Sequence, residues 1–264
     1  MALSLTAEFA PGERVALRPD LALPDWALLA DRAGREALAA AMAVAGRRER
    51  WAALDDAEDA VRRTVLLGFA AFGAPPSVME IAASTGLDRD AVRTALARLT
   101  ERDIVVLDET GAVAAAYPFS AEATPHRVTL AHFGTTVHAL CAVDALGIGG
   151  MLGADTLIES RCAASGAPVT LRTEDHGHTL AKLAPADTVI WYGIAHAGGC
   201  AARSGCALKL FFRSEPDLVA WRTRNGEYPG YRLSAPVAFQ LALALFTPML
   251  GGGQRADTAT TVSL

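Results

Sequence analysis

Ser77-Val-Met-Glu-Ile-Ala-Ala-Ser-Thr-Gly-Leu-Asp-Arg-Asp-Ala-Val-Arg-Thr-Ala-Leu-Ala-Arg-Leu99 holds two helix starts separated by a single turn. Ser77 and Asp88 each place a short side-chain oxygen just before an apolar-periodic run, where it can accept an orphan N–H of the first helical turn. Gly86 makes the turn between the two helices, and Val92, Leu96 and Leu99 form an apolar stripe on the second. Toward the N-terminus, Val61, Val65, Leu66 and Phe69 mark a preceding helix that starts near Asp59 and that Gly73 and Pro75-Pro76 end. Toward the C-terminus, Ile104-Val-Val-Leu107, a turn at Asp108-Glu-Thr-Gly111 and the run Ala112 to Tyr117 predict a two-stranded wing. The order helix, helix, helix, hairpin predicts a winged helix-turn-helix over residues 56–120.

A winged helix suggests DNA, but the charges argue against it. Between Asp55 and Ser120 there are six Arg and no Lys against eleven acids, a net of −5 (6 − 11). A recognition module carries the opposite sign. On a helical wheel Arg89 and Arg93 lie far from Arg98 and Arg102, so they make no single basic stripe. The segment reads as a structural or interaction domain.

The whole chain has 264 residues, 52% hydrophobic and 20% charged, with 24 Lys plus Arg against 29 Asp plus Glu. That composition excludes general disorder and leaves no broad attraction to nucleic acid or an anionic membrane. The first residues lack a basic, then apolar, targeting pattern, and the most apolar run, Val237 to Leu250, contains Gln240 and Pro248. A cytoplasmic protein without a membrane span is expected. Residues 1–55 form a leader in which Trp26, Leu29, Ala30, Ala33, Ala37 and Leu38 recur at helical spacing. It reads as a packing or dimerisation appendage, which allows for a homodimer.

Residues 121–264 change character. Thr135 to Met151 reads as one buried helix that ends in Gly147-Ile-Gly-Gly150 and Gly153; these glycines lack the Lys-Ser/Thr of a phosphate loop. Strands are expected at Thr156 to Arg161, Pro168 to Thr173, Asp187 to Tyr192 and Cys206 to Arg213, with helices at Asp217 to Asn225 and Ala235 to Phe246. The fold class is therefore α+β: an N-terminal winged helix-turn-helix domain followed by a small, mostly antiparallel sheet with packed helices.

Four cysteines, Cys141, Cys162, Cys200 and Cys206, are too few for a disulfide scaffold and contain no CxxC pair. Cys141 and Asp144 stand three apart in the predicted helix, so they share a face. Asp144 lies among Ala142, Val143, Ala145 and Leu146, where an unpaired carboxylate is costly. It either caps local backbone beside a core cysteine or serves a site. Cys206 opens a predicted strand on the face of Leu208, Leu210 and Phe212, with Lys209 on the opposite face, so its thiol points to the core. Two inward thiols with one carboxylate would select a soft metal. Cys162, before a tight turn, reads as a small buried hydrophobe. His196-x3-Cys200-x5-Cys206 has loop spacing common by chance and makes a weak zinc motif.

Cys141-Ala-Val-Asp144, Ser160-Arg-Cys-Ala-Ala-Ser-Gly-Ala-Pro168 and Gly205-Cys-Ala-Leu-Lys-Leu-Phe-Phe212, in this order, resemble the organomercurial lyase (alkylmercury lyase) family. Tyr117-Pro-Phe-Ser120 and His126-Arg-Val128 add to the resemblance, which spans about Asp59 to Leu250. It implies protonolysis of a carbon–mercury bond to a hydrocarbon and Hg(II). Cys141 and Cys206 would capture the organomercurial, and with Asp144 they would form both the catalytic and the mercury-binding set. Asp144 would manage the proton, as base and then as acid. No cofactor is implied, Hg(II) being bound only as product, and small thiols or a mercuric reductase would accept it. Two readings stand beside this one: an enzyme on the same scaffold acting on another organometal or a carbon–heteroatom bond, and a soft-metal-responsive winged-helix regulator.

Overall fold

The N-terminal segment folds as a small hairpin, β1 (Val15–Arg18) with β2 (Leu21–Leu23), and two helices, α1 (Arg32–Val44) and α2 (Arg47–Trp51). The computed structural model describes residues 8–194, 205–226 and 228–251. Asp31 starts α1 by accepting the Gly34 N–H at 2.8 Å.

Three helices come next, α3 (Asp56–Phe72), α4 (Val78–Thr85) and α5 (Arg89–Glu101), then the antiparallel pair β3 (Val105–Leu107) and β4 (Val113–Ala116). The caps explain the boundaries. Asp55 with Glu58 and Ser77 with Glu80 form reciprocal capping boxes, and the Asp88 carboxylate accepts from the N–H groups of Asp90 and Ala91. Gly73 and Gly86, both at φ 73°, supply the left-handed residue that ends α3 and α4. Four of the segment's six arginines hold local acids: Arg62 to Asp59, Arg93 to Asp90, Arg98 to Asp55 and Arg102 to Glu58. Four of the eleven acids counted in the sequence are therefore counterions to those arginines.

The β3–β4 hairpin is continuous with the main sheet. β4 pairs with β5 (Phe119–Ser120), and the sheet continues through β7 (Thr135–Ala139), β6 (Arg127–Leu130), β8 (Thr156–Arg161), β9 (Pro168–Glu174) and β10 (Thr179–Ala184). The result is an eight-stranded antiparallel sheet ordered β10-β9-β8-β6-β7-β5-β4-β3. A second antiparallel sheet, β12-β11-β13, combines β11 (Val189–Gly193), β12 (Lys209–Phe212) and β13 (Gly230–Ser234). Helix α6 (Ala142–Leu152) touches β6, β7 and β8 of the large sheet and β12 of the small one, while α7 (Glu215–Asn225) covers β11 and β12. The last helix, α8 (Ala235–Phe246), packs along α6 and against α1. Among the described residues no helix is long and apolar enough to cross a membrane.

Two expectations are corrected by the structure. Thr135 to Met151 is not one helix: Thr135–Ala139 is strand β7, paired to β6 in the register Val128 to Val137, and the helix begins only at Ala142. Thr135, Thr136 and Val137 are β-branched, stiff at χ1 and at home on a pleated surface, and that preference outweighs the apolar helical pattern read across them. Nor do all the glycines end the helix. Only Gly153, at φ 62°, is its C-cap; Gly147 and Gly150 lie mid-helix against α8. A Cβ on Gly147 would stand 2.2 Å from the Phe246 ring, and one on Gly150 would stand 2.3 Å from Leu243 Cδ2. Glycine here sets the helix spacing. Gly147→Ala is accordingly expected to destabilise the protein by about 1–3 kcal/mol despite alanine's better helix propensity. Thermal unfolding checks it, and an unchanged Tm would show that Phe246 can yield.

Candidate active site

The strand-to-helix junction after β7 fixes the first thiol. Cys141 is the N-cap residue of α6, with extended backbone at φ −154°, and its Sγ accepts the Asp144 N–H at 3.4 Å. Cys141 thus takes the place that Ser or Asp usually fills, and Asp144 sits at the third helical position. The cap is the reverse of the first of the two alternatives, in which Asp144 would have done the capping. Because the sulfur serves the backbone N–H, the Asp144 carboxylate is free to turn toward another group, and that group is Cys206. Its Sγ lies 3.4 Å from Asp144 Oδ2.

Cys206 does not open a strand as expected. Residues Cys206–Leu208 form a turn of 3₁₀ helix, and β12 begins at Lys209. The tighter turn breaks the two-residue alternation. The thiol still faces the core, but Lys209 is not turned away from it: both line one cavity, and Lys209 Nζ donates to the Gly205 carbonyl at 2.8 Å. The ligand atoms of Cys141, Asp144 and Cys206 all lie within 4.8 Å of one another, and all three residues are buried. Cys162 is also buried, its sulfur 3.5 Å from Asp217 Oδ2 on α7, away from this cluster. His196 and Cys200 fall outside the described residues.

A cavity of about 60 Å³ reaches this cluster, several times the space one water requires. Asp144 and Cys206 line it, whereas Cys141 is fully buried behind them. Its walls are largely apolar, with Leu38, Met42, Val143, Tyr192 and Leu245 among them. The leader therefore builds one wall. Nothing in the local sequence signals this, since Gly46-Arg-Arg-Glu-Arg50 reads as a solvated charge run. Also missed as site residues were Tyr117, whose hydroxyl is 3.7 Å from Cys206 Sγ, and Tyr192.

The three groups are not protonated alike. The hydrogen bond from Cys141, with help from the Lys209 charge and Tyr117, lowers the Cys206 thiol to about 6. Burial, together with the neighbouring Cys206 and Asp144, holds Cys141 well above the usual thiol range. Burial and then the Cys206 charge push the Asp144 carboxyl well up. Burial also raises Tyr117, so its hydroxyl keeps a proton to offer the sulfur. The site thus favours the thiolate at the cavity-facing Cys206 and the protonated forms of Cys141 and Asp144.

Two of the other motif segments meet each other. His126 Nδ1 and Ser160 Oγ meet at 2.8 Å across β6 and β8, buried beside Phe211, where burial lowers the imidazole to about 4. They tie the two strands together as a neutral pair.

Residues 119–247 match the family model of alkylmercury lyase. No curated protein sequence matches the chain. Among solved structures, the mercury-bound form of MerB2 superposes with a TM-score of 0.67 at 22% identity, covering 79% of this chain and 98% of that one. That superposition covers more of the chain than residues 119–247, and the buried cluster of two thiols and a carboxyl lies within those matched residues. Through residues 119–247, the chain is thus similar to the alkylmercury lyase family.

Proposed function

We propose that the protein cleaves carbon–mercury bonds by protonolysis, with Cys206, Cys141 and Asp144 as its catalytic and mercury-binding residues. The observation that carries this reading is the buried meeting of two sulfurs and one carboxyl, with the Cys206 sulfur facing the cavity. Thiolates are the ligands that soft metals select.

The reaction balances as R–Hg–X plus two thiols giving R–H, a dithiolate of Hg(II) and HX. The Cys206 thiolate displaces X and holds R–Hg. The carboxyl of Asp144 gives its proton to the mercury-bound carbon, the carbon–mercury bond breaks toward carbon, and R–H leaves. Cys141 then transfers its proton to Asp144 and closes the second sulfur–mercury bond, so that Asp144 acts as acid and then as base, the reverse of the order expected from the resemblance, because burial favours its protonated form at the start. A free carboxyl of pKa about 3.9 is protonated only about one time in a thousand at pH 7, so burial of Asp144 is what makes it an acid. Because mercury exchanges carbon for sulfur without change of oxidation state, the step calls for no redox cofactor. External thiols or a mercuric reductase would remove the tightly held product.

We read residues 56–120 as a winged helix-turn-helix kept for structure, with residues 1–55 as a leader and 121–264 as the catalytic domain of a cytoplasmic protein. The arginine–acid pairs within the helical segment support that use over DNA contact. The test is to give the reduced protein phenylmercuric acetate with excess small thiol and quantify benzene by gas chromatography. Catalytic benzene release is expected; mercury bound without benzene would overturn the lyase.

A further inference from the structure

The three reacting side chains all come from the family-matched stretch, but a fourth group at the cavity does not. Arg47, the first residue of α2, is 7% exposed. An arginine so buried needs partners on every side. Its Nη1 donates to the Asp103 carbonyl at 3.2 Å and to Asp103 Oδ2 at 3.3 Å. Its flat faces meet two rings: the guanidinium carbon lies 4.1 Å from the Trp51 centroid and 4.7 Å from that of Tyr117. The two rings contact each other edge-on at 6.0 Å. Tyr117 in turn reaches Cys206 Sγ with its hydroxyl at 3.7 Å, and Arg47, Trp51, Tyr117 and Cys206 line the same cavity.

We propose, resting on the lyase reading, that Arg47 is a positioning residue of the active site, holding the Tyr117 ring so that its hydroxyl stays on Cys206 during mercury transfer. A planar guanidinium can stack on an aromatic face while donating sideways to a carboxylate; the compact ammonium of lysine cannot do both. The hydroxyl on Cys206 directs the sulfur's remaining lone pairs toward the cavity and toward Cys141. Misplacement there slows the chemical step more than it weakens binding of the organomercurial. The active site is thereby completed by the N-terminal segment, and its geometry depends on α2 staying docked.

The test is a double-mutant cycle of Arg47→Lys and Tyr117→Phe. Arg47→Lys keeps a charge opposite Asp103, and Arg50, 3.9 Å from the same carboxylate, helps to hold the fold. Each single variant is expected to lower kcat for benzene release roughly tenfold with KM changed less than about twofold, and the double variant to fall no further than Tyr117→Phe. A role in stability alone would lower Tm without separating kcat from KM. Full kcat in Arg47→Lys, or losses that multiply in the double variant, would overturn the assignment. Iodoacetamide labelling of Cys206, followed by mass spectrometry on the same four proteins, needs no lyase activity. Arg47→Lys and Tyr117→Phe should shift its rate by the same factor and in the same direction, with no added shift in the double variant. Wild-type protein that forms no benzene would defeat the lyase reading; unequal labelling shifts would defeat the Arg47 assignment, whatever the wild type does.

Discussion

Cys206→Ser is expected to abolish benzene release from phenylmercuric acetate, by roughly 10⁴-fold or more, as loss of a nucleophile does where several groups act as a unit. The same variant should also fail to capture the substrate. Cys206 is the sulfur that faces the cavity and the one held as thiolate, whereas Cys141 is fully buried behind it and keeps its proton. Cys141→Ser should lose turnover to the same extent yet still take up phenylmercury, because the first capture needs only the Cys206 thiolate. Intact-mass spectrometry separates the two: a phenylmercury adduct accumulates on Cys141→Ser and is missing from Cys206→Ser. The reverse pattern would put Cys141 first and overturn the order drawn from burial. The pH dependence has a definite sign. With Cys141 present the Cys206 sulfur is thiolate above about pH 6 and protonated below it, so uptake should fall as pH drops. Removing Cys141 also removes its hydrogen bond, which moves that midpoint upward in the variant.

The parts of the fold that could be read in advance were those whose signals are local. Ser77, Asp88, Gly73 and Gly86 fix helix ends through caps formed within a few residues, and those ends fell where the sequence put them. Strand β8 and helix α8 likewise matched, each bounded by turn residues or Ser-Ala-Pro. The errors arose where partners distant in sequence decide. Thr135–Ala139 became a strand because β6 lies beside it, and Gly147 and Gly150 were needed by Phe246 and Leu243, nearly a hundred residues away. At the site, Cys141, Asp144 and Cys206 were named from residue type, the apolar setting of Asp144 and family resemblance. The geometry behind them differed: cap and third position rather than one helical face, and a 3₁₀ turn rather than a strand. Arg47 and Trp51 were out of reach altogether, since nothing near them marks a site and only the docking of α2 carries them to Tyr117.

Asp144→Asn isolates the proton from the metal chemistry. The amide matches the carboxyl in size, and the Asp144 backbone N–H that Cys141 accepts is untouched, so both sulfurs should keep their places. Asparagine has no proton to give to carbon and no basic site to take one from Cys141. Hydrocarbon release should therefore fall roughly 10²–10⁴-fold, the usual contribution of a positioned acid. Capture should persist, because Cys206 owes its lowered pKa first to Cys141, with Lys209 and Tyr117 contributing ahead of Asp144. The expected product on the protein is a phenylmercury thiolate that forms at near wild-type rate and decays slowly. Single-turnover benzene formation alongside intact-mass analysis measures both steps. Full turnover in Asp144→Asn would mean that the proton reaches carbon from Cys141 or solvent, and the buried carboxyl would then be a ligand to mercury and nothing more. Loss of capture together with turnover would mean instead that the carboxylate is needed to assemble the thiol pair. Slow release with intact capture is the only one of these outcomes in which a carboxyl forced to hold its proton by burial delivers it to the leaving carbon.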